Sequence, residues 1–275
     1  MASKTLISAS ALTTKLADPK LVLLDCSLET TATGKRSKYS GMTIPGARFL
    51  DLKKDFSDTT ASFPNTIPSS SAFQENARKL GINFDSEIVV FDAMGIYSSP
   101  RVWWLFQVMG HRNIRVLDGG IPAWSELGLP LTESYSIDYS YGNFEAKLDM
   151  QQVKTFKDLD LNVTAETFTV VDARSSGRFE GVEPEPRAYL QSGSIPNSVN
   201  LPFQEVLDNG KYKSKEELHQ IFEDRSLLDK SLVYSCGSGL TACIIMLAGE
   251  IAAQKDKQVY DGSWTEWAEL KELKK

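Results

Sequence analysis

The stretch VYDGSWTEWAELK (259–271) has a counterpart earlier in the chain, VLDGGIPAWSELG (116–128), which shares its Asp-Gly pair and a tryptophan. Working outward from these two, three more pairs appear. LVLLDCS (21–27) is echoed by FTVVDARSS (168–176), each an apolar run ending in aspartate. GMTIPGARFLDL (41–52) is echoed by SGSIPNSVNLPF (192–203), and EIVVFDA (87–93) by SLVYSCG (231–237). The pairs keep one order, with offsets of 147, 151, 144 and 143 residues for the strings starting at 21, 41, 87 and 116. Chance similarity would scatter those offsets, so the chain is read as one unit written twice.

Inside each copy, short apolar runs alternate with helical patterns such as 100–106 and 241–253. That alternation implies parallel strand pairing with helices on both faces of a sheet, an α/β layer fold. The spacing predicts two α/β domains in tandem: 1–135, a linker over 136–160, and 161–275. The polar, tyrosine-rich stretch Thr132 to Lys147 marks the crossing. Met1 to Lys20 carries Lys4, Lys15 and many hydroxyl residues. Leu6, Ile7, Leu12 and Leu16 fall near helical spacing, which predicts a folded first helix leading into the strand at 21–25 rather than a targeting segment.

Composition narrows the class. With 41% hydrophobic and 24% charged residues the chain is ordinary for a globular protein. A net charge of −6 argues against nucleic acid as a partner. No apolar run reaches the roughly 18 residues that a membrane span requires. Three scattered cysteines, Cys26, Cys236 and Cys243, make neither a disulfide framework nor a metal site. A reduced, cytoplasmic compartment is expected, with no metal and no cofactor.

The chemistry is expected at SCGSGLTA (235–242). Cys236 stands where a buried strand ends, the place where parallel α/β sheets bind ligands. The loop Gly237, Ser238, Gly239, Leu240 and Thr241 is mostly small, and glycines let successive N–H groups curl inward as an anion-binding nest. A helix beginning near Thr241 adds its positive end. Both effects favour a negatively charged sulfur. Cys243, inside an apolar helical pattern, reads as core, and Cys26 as structural. At the position of Cys236 the first copy has Asp92, or Ala93 after a slip of one, so only the second copy carries the thiol. His111 and His219 read as surface or capping residues.

The loop CGSGLT, the segment SGRFEGVEPEPR (176–187), the IPGA and IPNS turns and SSPRVWWLF (98–106) together resemble the tandem rhodanese family, in its 3-mercaptopyruvate sulfurtransferase branch. The resemblance covers residues 5 to 270. It implies two rhodanese-like domains, each a mainly parallel sheet with helices on both faces, the first non-catalytic and the second catalytic. It further implies attack by Cys236 on the sulfur of 3-mercaptopyruvate, a persulfide, release of pyruvate, and passage of the outer sulfur to a thiol, cyanide or a reduced thioredoxin. Backbone N–H groups from Gly237 to Thr241 would hold the persulfide charge, with Ser238 donating to sulfur or relaying a proton. Arg178 and Arg187 match the family's substrate-contacting pair, and two guanidinium forks suit the carboxylate and keto oxygen of a 2-oxo acid. The plain alternative is that both arginines pair with Glu180, Glu183 or Glu185.

Two departures stand out. Many family members have a histidine just before the first Ile-Pro-Gly turn, where this chain has Thr43, so a serine–histidine relay of that form is in doubt. Leu240 replaces the commoner valine, a conservative change. Among other readings, a thiosulfate sulfurtransferase resembles a loop of the type Cys-Arg-Lys-Gly, whereas Gly237 and Ser238 are uncharged. A non-catalytic carrier of sulfane sulfur would need the loop but not the arginines. A cysteine phosphatase wants a longer loop ending in arginine, which is lacking here.

Overall fold

A computed structural model describes residues 5–273, so residues 1–4 of the expected first helix lie outside it. The chain divides into two compact units. One comprises residues up to 59, 67–149 and 209–212, and the other 60–66, 150–208 and 213 onward.

Each unit is built on a five-stranded sheet. In the first the strand order is Leu6–Ile7, Ile114–Leu117, Glu87–Phe91, Leu21–Asp25, Arg48–Phe49, all parallel. In the second it is Val153–Lys154, Gln258–Tyr260, Leu232–Ser235, Thr169–Asp172, Ser198–Asn200, again all parallel. The order is the same in both, as a duplication requires. The central strands read as continuous apolar runs because both faces are covered. In the first unit Leu23, Val89 and Phe91 pack against Leu12, Ile121 and Trp124. Phe73 and Phe106 meet edge to face, with ring centres 4.9 Å apart. In the second, Val170 and Val233 pack against Leu159, Trp264 and Trp267, while the apolar helix Ala242–Ile251 lies against the strand Leu232–Ser235.

Three local expectations change. Leu6–Ile7 is an edge strand paired with Val116 and Leu117, and the first helix is confined to Ala9–Thr13 behind a Ser8 cap. An apolar pair that can complete a sheet edge gains ladder bonds that a short helix end lacks. His111 is buried rather than superficial. Its Nε2 lies 3.0 Å from the Ser86 carbonyl oxygen and its ring sits among Phe106 and Phe144. The expected linker is tied along the first unit: the N–H groups of Gly142, Phe144 and Lys147 donate to the carbonyls of Arg78, Ile82 and Met109. Glycine is needed at 142, since a Cβ there would stand 2.0 Å from the Ile82 oxygen.

Candidate active site

The strand Leu232–Ser235 ends at Cys236, and the helix Ala242–Ile251 starts six residues later. Cys236 is only 2% exposed. The loop between them turns on Gly239, whose φ of 76° is a left-handed value that favours glycine. Leu240 is buried and Thr241 precedes the helix without a side-chain cap. Cys243 is fully buried in that helix, its Sγ directed to the Gly239 oxygen at 3.5 Å. Cys26 is equally buried. Burial, followed by the nearby Asp92 carboxylate, pushes its thiol well above the ordinary cysteine value.

The repeat segment DGSWT holds the loop from outside. The N–H of Trp264 donates to the Cys236 oxygen at 2.9 Å. The N–H and Oγ1 of Thr265 donate to the Gly237 oxygen at 3.1 and 2.6 Å. Ser263 Oγ accepts from the N–H of Cys236 at 3.1 Å and of Gly239 at 3.0 Å, and itself donates to the Tyr260 oxygen. Not every loop N–H is therefore available to sulfur, as the nest expectation had it. Those of Gly237, Ser238, Leu240 and Thr241 have no protein acceptor among the described residues. Four free donors beside a thiol at a helix start form an anion receptor.

The two arginines differ. Arg178, on the short helix Ser176–Phe179, binds Glu185 through Nε at 3.2 Å and Nη2 at 2.5 Å. Its Nη2 also lies against the loop: a Cβ placed on Gly237 would be 3.0 Å from it. The ion-pair alternative thus holds for Arg178, while its remaining N–H groups are free to face the loop. Arg187 is half-buried and has no carboxylate partner among the described residues. It is an uncompensated cation.

Behind Arg178 stands Arg174, which sequence reasoning missed. It is fully buried, donates from Nε and Nη2 to Asp172 and from Nη1 to Glu185 at 2.7 Å, and lies 4.4 Å from the Trp264 ring centre. Asp172, at the end of a central strand, thereby fixes Arg174, which fixes Glu185, which orients Arg178. Ser263 was also missed, although a signal existed. It aligns with Gly120 in the first copy, and both have left-handed φ, 52° and 51°. A serine replacing glycine at such a position points to a task for the hydroxyl. Asn65 had no signal at all: its Nδ2 donates to the Ser238 oxygen at 2.9 Å and Oγ at 3.0 Å. Thr43, the residue at the expected histidine position, is engaged elsewhere, donating to Asp25 Oδ2 at 2.6 Å in the first unit.

The chain is thus two copies of one parallel α/β unit, of which only the second has a cysteine at the end of its central strand. Comparison with known proteins places it. The rhodanese-like domain matches residues 8–127 and 155–270. The 3-mercaptopyruvate sulfurtransferase of Rattus norvegicus is 40% identical, over 94% of this chain and 89% of that protein. The thiosulfate sulfurtransferase of the same organism is also 40% identical, over 90% and 85%. The crystal structure of SseA from Escherichia coli, described as a 3-mercaptopyruvate sulfotransferase, superposes with a TM-score of 0.84 at 30% identity, covering 95% of this chain and 99% of that one. Tum1 from Saccharomyces cerevisiae gives 0.85 at 30% identity, over 96% and 94%. The chain belongs to the rhodanese family and is a sulfurtransferase. No described helix is long and apolar enough to cross a membrane.

Proposed function

We propose that this sulfurtransferase takes sulfur from 3-mercaptopyruvate onto Cys236 and hands it to a thiol acceptor. The observation that carries the donor assignment is the placement of charge. The loop is neutral at Gly237 and Ser238, while the uncompensated Arg187 stands on the segment that also carries Arg178. Mercaptopyruvate has its negative charge on a carboxylate several bonds from the sulfur, where a guanidinium fork receives it. Thiosulfate concentrates two charges around the sulfur itself and calls for cations within the loop. Relatives of both kinds are about equally similar to the chain, so thiosulfate is the second reading.

In the first half-reaction the Cys236 thiolate attacks the donor's sulfur. An S–S bond forms, the C–S bond breaks, and its electron pair leaves on carbon as pyruvate enolate, which takes up a proton to give pyruvate. The free N–H groups of Gly237, Ser238, Leu240 and Thr241 support the charge on the outer sulfur. In the second half-reaction an acceptor thiolate attacks that outer sulfur and Cys236 leaves as thiolate. Cyanide does the same and leaves as thiocyanate. A reduced thioredoxin is the protein acceptor we favour, and three free thiols suit the reducing cytoplasm. Pyruvate release from 3-mercaptopyruvate and thiocyanate formation from thiosulfate, measured side by side, test the assignment. The expected kcat/KM is at least about tenfold higher for mercaptopyruvate, and a preference for thiosulfate overturns it.

A further inference from the structure

The residues 60–66 belong to the same compact unit as the cysteine loop, although they are 173 residues away in sequence at the Asn65–Ser238 contact. Asn65 has a φ of 60°, in the left-handed region that asparagine tolerates better than other side chains. The Ser238 carbonyl oxygen only accepts, so the Asn65 atom 2.9 Å from it is the amide nitrogen. The same nitrogen lies 3.0 Å from Ser238 Oγ.

We infer that Asn65 is a positioning residue that fixes the Ser238 hydroxyl as a hydrogen-bond donor toward the sulfur donor in the loop. A hydroxyl has one proton and two lone pairs. The Asn65 N–H occupies a lone pair, and an amide nitrogen accepts nothing, so the serine proton points away from it. Among the described residues that proton meets no protein acceptor. It is left for the bound donor, whose charge grows as the C–S bond breaks. The arrangement is a preset dipole. An amide neither gains nor loses a proton near neutral pH, so Ser238 has no base behind it at this contact.

This inference rests on the proposal that reaction occurs at the Cys236 loop; turnover that survives Cys236→Ser in the same assay overturns that proposal, and the variants below decide the role of Asn65. Asn65→Gly keeps the left-handed backbone and removes the amide. Asn65→Asp keeps the size and replaces the donors with acceptors. Both variants and the unaltered chain are assayed between about pH 5 and 9, with whichever of 3-mercaptopyruvate and thiosulfate the unaltered chain turns over faster. Asn65→Gly is expected to lower kcat about tenfold with KM within about twofold. Asn65→Asp is expected to lose more at high pH and to recover on the acid side, where a protonated carboxyl donates again. That new limb is what a merely structural contact does not produce. Unchanged kcat in Asn65→Gly, or equal losses in both variants with an unmoved pH profile, overturns the inference. If thiosulfate is the faster donor, the mercaptopyruvate assignment fails while the role of Asn65 is still decided.

Discussion

The loop after Phe91 and the loop after Ser235 occupy the same place in two copies of one sheet, and they use it in opposite ways. In the first, Asp92 fills its own nest. Its Oδ2 accepts from the N–H groups of Tyr97, Ser98 and Ser99 at 2.9, 3.0 and 3.0 Å and from the Ser99 hydroxyl at 2.7 Å. The backbone closes down as well: a Cβ on Gly120 would stand 2.2 Å from the Asp92 oxygen. In the second, Ser263 replaces Gly120, its hydroxyl takes two N–H groups of the loop, and four others have no protein acceptor among the described residues. One loop is a closed cap made by an internal anion. The other is an open receptor for an external one. A strand-end nest has N–H groups left for an external anion only when no side chain of the protein already satisfies them.

The sharpest break between the two loops is chemical. Cys236→Ser is expected to lower turnover by about three orders of magnitude or more, because the attacking sulfur is gone. Cys26→Ser and Cys243→Ala are expected to keep most of it. Mass spectrometry after incubation with donor should place a single sulfur adduct on Cys236, and an adduct chiefly on Cys26 would contradict the contrast drawn here.

Stability should break the other way. Asp92→Ala removes the carboxylate that accepts from the N–H groups of Tyr97, Ser98 and Ser99 and is expected to cost about 3–5 kcal/mol of the first unit's unfolding free energy. Cys236→Ala, which takes an acceptor from no backbone N–H of the loop, is expected to cost about 1 kcal/mol. Denaturant unfolding followed by tryptophan fluorescence compares the two. Similar losses would mean that both loops are structural caps.

The arginines sharpen the second loop alone. Arg187→Ala is expected to lower kcat/KM for mercaptopyruvate by one to two decades, the loss of a charge-assisted bond of roughly 1.5–3 kcal/mol. Arg187→Lys should rescue poorly, since lysine has no fork. Arg178→Ala should cost turnover and stability together, because Glu185 then faces only Arg174. Intact mercaptopyruvate kinetics in Arg187→Ala would remove that residue from donor binding.

The smallest effect concerns pH and belongs to the first unit. Burial holds the His111 imidazole below its ordinary value of 6.5. The unfolded chain therefore binds its proton first, and stability is lost as pH falls below 6.5 toward the lower folded value. His111→Gln should flatten that part of the stability profile while leaving the donor kinetics of the second unit unchanged. A profile that keeps its slope in the variant assigns the slope to other groups.

Much of this was open in the sequence. The four repeated strings set two α/β units, parallel sheets and the strand end on which Cys236 stands, because apolar runs, glycine turns and helix starts are local features with local causes. The missing thiol at Asp92 was visible from the alignment of the copies alone. What only the tertiary structure decided is which polar groups are already satisfied. Arg178 and Arg187 read alike as letters, but one is paired to Glu185 and the other is not. Whether the Ser238 hydroxyl donates or relays a proton is open in the sequence until Asn65, 173 positions away, donates to its Oγ, and the Gly239 N–H looks free until Ser263 accepts it. Hydrogen bonds between side chains depend on distances of about 3 Å that no sequence spacing encodes. Whether a donor remains free for a ligand is thus settled only when the whole chain has folded around it.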